Sequence, residues 1–237
     1  MTYLWQLIFY NPILNVLVFF YNTIAFRSFG LAIIEVTLLL RLILFPFFHK
    51  GAKQQMLMQR IQPKVKKIQE QHKDDREKQA AALMELYKEH GVNPFSGFLL
   101  LIIQLPIILG LYWVVRSGLA PSTFASLYSF VAAPQNVNTV FLGIVNLTAA
   151  SIPLVLCAAI AQFFQARLAI YRSPDDTSPL SPAEKIGRQM AYVGPIITIL
   201  VFYGLPAAVG LYWLVSSLFS IIQQIFVNRH LKKKYGA

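Results

Sequence analysis

Two long stretches carry no formal charge at all: the 50 residues between Arg116 and Arg167, and the 40 between Arg188 and Arg229. A chain with runs of this length, 56% hydrophobic and only 13% charged, lies outside the composition of water-soluble domains. It is read as an all-α polytopic membrane protein, because backbone polar groups in hydrocarbon must be satisfied within each spanning segment.

The charges that remain are partitioned. Of 21 Lys and Arg, ten lie between Lys50 and Lys88, four between Arg167 and Arg188, and four between Arg229 and Lys234. The other three are Arg27, Arg41 and Arg116, and Glu35 is the single acid outside residues 50–89 and 167–188. By the positive-inside rule these three stretches face the cytoplasm. The net charge of +11 therefore reports membrane orientation rather than a nucleic-acid surface, and no sequence-specific nucleic-acid partner is expected.

A helix needs about 20 residues to cross roughly 30 Å of hydrocarbon. Five spans fit between the basic stretches: 29–48, 96–116, 139–166, and a tight hairpin over 190–228 that turns at Gly204-Leu205-Pro206. The Pro-containing segment 117–138 reads as an extracytoplasmic loop. Residues 49–95, 167–189 and 229–237 are cytoplasmic, the last as a basic tail, and five crossings place the N-terminus outside. Residues 1–28 hold Pro12, Asn11, Asn15 and Asn22 and are read as an interfacial helix. No removable targeting segment is visible, which favours a bacterial plasma membrane. The fourth span, about 15 residues or ~22 Å, is short and favours local bilayer thinning.

In the first basic stretch Met56, Ile61, Val65 and Ile68 recur at helical spacing, as do Leu83, Leu86 and Tyr87 after a polar break at His72–Asp75. This spacing predicts a cytoplasmic helical hairpin, with a solvated charged loop as the plainer alternative.

Arg41 falls about 12 residues into the first span, roughly 18 Å from its outer end and too deep to snorkel easily. Thr37 shares its face one turn away, whereas Glu35 points about 120° aside. Uncharged polar groups stand in other spans: Gln104 in the second, Asn146, Thr148, Ser151 and Gln162 in the third, and Ser216, Ser217, Gln223 and Gln224 in the fifth. A hydrated cavity holding Arg41 for an anionic visitor follows from this pattern. The alternative is an arginine held by backbone carbonyls or lipid phosphate at a helix break near Pro46.

Four segments carry a likeness to a known family: "LLLRLILFPF" around Arg41, the loop beginning "QPKVKKIQEQHKDD", "IQLPIILGLYWVV", and "LPAAVGLYWLVSSLFSIIQQIFVNR". In this order they resemble the YidC/Oxa/Alb membrane-protein insertases, in a short five-span form. The resemblance implies five helices around a hydrophilic groove, closed on the outer side, and the job of integrating new membrane proteins into the bilayer. It assigns Arg41, Thr37, Gln104, Trp213 and Ser216 to the substrate groove, and the polar pattern of the third span adds Gln162. Nascent membrane proteins and lipid are the implied partners, with the ribosome and the Sec translocon as further candidates. The chain departs from the family pattern where "FLLLIIQ" precedes Gln104 and where Ser216-Ser217 stands in the fifth span.

No cofactor, metal or enzymatic activity is expected. All four Asp lie in loops, the four His lie at or beyond span ends, and no phosphate-binding GxxxxGK[ST] loop is present. Cys157, the single cysteine, forms no internal disulfide. A transporter or channel for an anionic solute is the competing reading, although five spans with one arginine offer no paired repeat.

Overall fold

The computed structural model describes residues 3–94, 96–170 and 182–235. Of the loop expected over 167–189, residues 171–181 lie outside this description, as do 236–237 of the tail.

The chain opens with α1 (Tyr3–Trp5), a π-helical turn (Gln6–Tyr10) and α2 (Asn11–Thr23), which run on as one helix. Leu14, Leu17, Val18 and Tyr21 of α2 are buried in the main core, together with Phe29, Ile33, Val114 and Leu147. Two of the asparagines bond to the facing segment, and one of them is buried. Asn15, only 2% exposed, donates to the carbonyls of Asn11 and Ser126 and accepts from Tyr128 N, and Asn22 donates to Ala132 O.

A turn in which Phe26 and Arg27 both take positive φ leads into α3 (Phe29–Ile43). Ser28 caps it, accepting from Leu31 N. The helix expected to continue to residue 48 stops at Ile43 and resumes as α4 (Phe45–Arg60), bent by 66°. Pro46 is the cause: it lacks a backbone donor, and its ring excludes a straight helix through the preceding turn.

Beyond α4 come α5 (Gln62–Gln71) and α6 (Arg76–Glu89), a helical hairpin with its own small core of Ile61, Val65, Leu86 and Val92. Pro63 sits in the first turn of α5, where its missing N–H costs nothing. Asp75 caps α6, accepting from Lys78 N at 3.0 Å.

After α7 (Ser96–Arg116) comes an irregular segment with a 3-10 turn at Thr123–Ser126. The helix expected from residue 139 begins only at Ile152. Before it, β1 (Val140–Phe141) pairs antiparallel with β2 (Val145–Asn146) through a turn whose Leu142 and Gly143 both have positive φ. The Asn146 carboxamide, accepting from Thr148 N and its hydroxyl, holds the chain out of helix until Pro153 starts α8 (Ile152–Ala169).

Two long helices follow, α9 (Pro182–Phe202) and α10 (Ala207–Tyr235), joined by a turn over 203–206. Among the described residues three helices are long and apolar enough to cross a membrane: Tyr3–Thr23, Ile152–Ala169 and Ala207–Arg229. The bent pair α3–α4 passes the same test as a unit, and Ile102–Arg116 and Ala191–Phe202 are shorter apolar helices.

The helix α10 is the central post. It packs on α3, α7 and α8, while α8 packs on α9. Near the hairpin, Met56 of α4 is fully buried against Val227 of α10, Gln223 donates to Phe45 O, and Gln59 donates to Ala169 O.

Candidate functional site

Thr37 and Arg41 are four residues apart and therefore share one face of α3. Both are buried, at 1% and 7% exposure. Thr37 needs nothing from outside its own helix, because its hydroxyl donates to Ile33 O at 2.6 Å.

Arg41 is different. It occupies the last turn of α3, immediately before the Pro46 bend, so its charge lies near the negative end of the helix dipole. The guanidinium carbon stands 4.3 Å from the centre of the Phe48 ring, a cation–π contact made by the change in helix direction. The Tyr212 hydroxyl lies within electrostatic reach. Nη1 is buried without a hydrogen-bond partner, and no carboxylate among the described residues pairs with it. Glu35, the nearest acid in sequence, has its Oε2 buried and equally unpartnered. The bend near Pro46 and the polar surroundings thus occur together at one arginine.

Tyr212 is held from α7. Gln104, 7% exposed, donates from Nε2 to the Tyr212 hydroxyl at 2.6 Å. Ser216 stands one turn further along α10, 1% exposed, with its Oγ lacking a hydrogen-bond partner. Arg41, Thr37, Gln104 and Ser216 thus come from α3, α7 and α10 onto one flank of α10, around a tyrosine. A buried cation ringed by a phenol, a serine hydroxyl and an amide offers an incoming carboxylate charge-assisted donors at low effective dielectric.

Gln162 and Trp213 belong to the other flank. Trp213 follows Tyr212 directly and so points about 100° away around α10. Its Nε1 donates to Gln162 Oε1 at 3.4 Å, and its ring meets Phe202 edge-on at 5.4 Å. The same Gln162 oxygen accepts from Thr198 of α9, so one amide ties α8, α9 and α10. The six expected residues therefore form two clusters, one on each side of α10.

Three contributors escaped the sequence reading: Tyr212, Phe48 and Thr198. Tyr212 carries a signal in its spacing, four residues before Ser216, and in the GLYW tetrad at 210–213 that also occurs at 110–113. Phe48 and Thr198 carry none, because both roles depend on how helices meet.

This architecture has known counterparts. The family model described as 60Kd inner membrane protein matches residues 19–234. A membrane protein insertase YidC of Fusobacterium nucleatum subsp. nucleatum is 34% identical over 222 residues, 93% of this chain and 97% of that one. Insertases of the same name from Pelobacter propionicus and Francisella tularensis subsp. novicida are 30% and 34% identical over 95% and 86% of this chain. This chain spans 39% and 33% of the length of those two. A crystal structure of an active YidC insertase, with its first transmembrane domain resolved, superposes with a TM-score of 0.61 at 26% identity, covering 94% of this chain and 46% of that one. With the match running nearly end to end, the chain belongs to the 60Kd inner membrane protein family, the family of the YidC membrane protein insertases.

Proposed function

We propose that this chain integrates newly made membrane proteins into the lipid bilayer, with Arg41 receiving the acidic residues of a segment that must be translocated. The observation that carries the reading is the buried guanidinium, which has an aromatic ring and a phenol for neighbours and no carboxylate partner among the described residues.

The physical account is short. A polar tail preceding a substrate's apolar helix must pass about 30 Å of hydrocarbon. A cation partway across shortens the unfavourable path, and its attraction for a carboxylate exceeds that in water because the surroundings are less polar. The attraction must stay modest, since a tightly held tail would not be released. The substrate's apolar helix then passes along the Trp213 flank of α10 into lipid, driven by burial of apolar area at roughly 25 cal/mol per Å². Thr37, Gln104 and Ser216 line the arginine side of this route, and Gln162 and Trp213 the other.

The orientation that fits has the α5–α6 hairpin and the basic tail in the cytoplasm and the segment 117–138 outside. The N-terminal helix then lies along the outer interface. Support comes from its polar contacts, since Tyr10, Asn15, Tyr21 and Asn22 all bond to residues between Ser117 and Asn138. The basic hairpin and tail face the compartment where ribosomes work, and the ribosome and Sec translocon are partners consistent with that placement.

The test is insertion of a single-span substrate with an acidic translocated tail into liposomes containing only this protein, scored by protease protection. Arg41→Ala is expected to abolish insertion, and neutralising the tail to restore it. Insertion unaffected by Arg41→Ala would remove the arginine from the mechanism; no insertion by the unaltered protein, together with saturable uptake of a small anion, would favour a transporter.

A further inference from the structure

The end of the bundle formed by 117–138 holds a second uncommitted arginine. Arg27 lines a cavity of about 460 Å³ whose walls also include Tyr21 and Asn22 of α2 and Gln135 and Asn136 of the facing segment. The walls are braced: Tyr21 donates from its hydroxyl to Asn136 O at 3.1 Å and accepts from Asn138 N, and Asn22 donates to Ala132 O at 2.7 Å. This bracing leaves the side chains of Arg27, Gln135 and Asn136 without hydrogen-bond or ion-pair partners among the described residues.

No ion pair to Arg27 is formed among the described residues. Residues 1–34 and 90–174 contain no Asp or Glu, and every wall of the cavity comes from these stretches. The cavity itself therefore supplies no counter-charge, and another molecule can. The chain also presents Arg27 in an unusual way, since Phe26 and Arg27 both adopt left-handed backbone conformations, φ 49° and 56°, that side chains rarely take. The turn projects Phe26, 89% exposed, and Ile24, 53% exposed, beside the cation. A free anion in water would gain nothing from these apolar neighbours. A phospholipid would satisfy both parts at once, with phosphate on the guanidinium and amides and acyl chains against Phe26 and Ile24.

We propose that this cavity is a binding site for the phosphate of an anionic phospholipid in the leaflet at this end of the bundle, with Arg27 as the charged donor and Gln135 and Asn136 as amide donors. The site is remote from Arg41 and independent of the insertase reading. It gives this end of the bundle a lipid anchor at a cavity whose walls carry no acidic side chain.

Native mass spectrometry of the full chain in detergent micelles, titrated with phosphatidylglycerol, tests this. One lipid is expected to bind more tightly than the rest, with binding weakened about tenfold by Arg27→Gln, largely kept by Arg27→Lys, and unchanged by Arg116→Gln. Millimolar inorganic phosphate is expected not to displace it. Equal retention by the Arg27→Gln protein, or equal loss from the Arg116→Gln protein, would overturn the site. Displacement by inorganic phosphate would overturn the lipid assignment in favour of a free anion. Should Arg27→Gln lower the melting temperature, the double variant Gln135→Ala, Asn136→Ala carries the same comparison without altering the turn.

Discussion

Gln104 of α7 and Tyr212 of α10 are joined by a 2.6 Å hydrogen bond in which the amide donates to the phenol, and both side chains are buried beside Arg41. Removing the phenol leaves an amide N–H in the interior without a partner, which costs about 1–3 kcal/mol. Tyr212→Phe is therefore expected to destabilise the protein by that amount in denaturant unfolding in micelles. The double variant with Gln104→Leu should cost less than the two single changes added together. Additive costs would mean that the bond contributes nothing of its own.

The arrangement around Arg41 explains which parts of the site could be read from the chain. Thr37 and Arg41 were legible because a spacing of four residues fixes a shared face whatever else the chain does. The hairpin was legible because its apolar positions repeat at helical period and meet in a small core of their own. The bend at Leu44 was only half legible. Pro46 announces a break, but not the 66° turn that swings Phe48 over the guanidinium. The start of α8 was missed because 139–151 is as free of charge as the helix it precedes, while backbone-directed bonds from Asn138 and Asn146 decide its conformation. The asparagines of α2 misled in the same way. Counted as polar, they argue against burial, yet Asn15 is satisfied by a segment more than 100 residues away.

Gly30 stands where the β1–β2 hairpin presses on α3, and a Cβ there would overlap the ring of Phe141. An aromatic ring wedged against a helix backbone cannot yield as a flexible side-chain end can. Gly30→Ala is expected to destabilise by about 1–3 kcal/mol, in the range of overpacked cores. Pairing it with Phe141→Leu should recover most of the loss, as measured by thermal melting in the same detergent. A tolerated Gly30→Ala would mean that the hairpin is free to lift away.

Gln162 offers one carbonyl oxygen to donors from two helices, Thr198 and Trp213. Gln162→Leu leaves both donors without that acceptor, whereas Thr198→Val leaves the Trp213 bond in place. The first is expected to lower the unfolding free energy by about 1–3 kcal/mol and the second by less. In a background with Trp5 and Trp113 replaced by Phe, the Trp213 emission should shift with Gln162→Leu and stay constant with Thr198→Val. A constant emission in both would show that Phe202 alone sets the position of the indole.

Asp75 sets the start of α6 through charge as well as geometry. The Lys78 N–H, donating at 3.0 Å, holds its carboxyl below the usual carboxylate range, and the Lys78 ammonium at 3.0 Å adds to the effect. A folded value below the ordinary 3.8 means that the ionised cap stabilises the helix fully above pH 3.8, and that this contribution is lost as pH falls through the lower, folded value. Amide exchange at Lys78 and Gln79 in the full chain, corrected for intrinsic rates, should therefore show the same protection at pH 7 and pH 5. Asp75→Ala should reduce that protection at both pH values, and Asp75→Asn, which keeps a capping oxygen without the charge, should fall between. Protection that declines already between pH 7 and pH 5 in the unaltered chain would place the control of this helix start on a group other than Asp75.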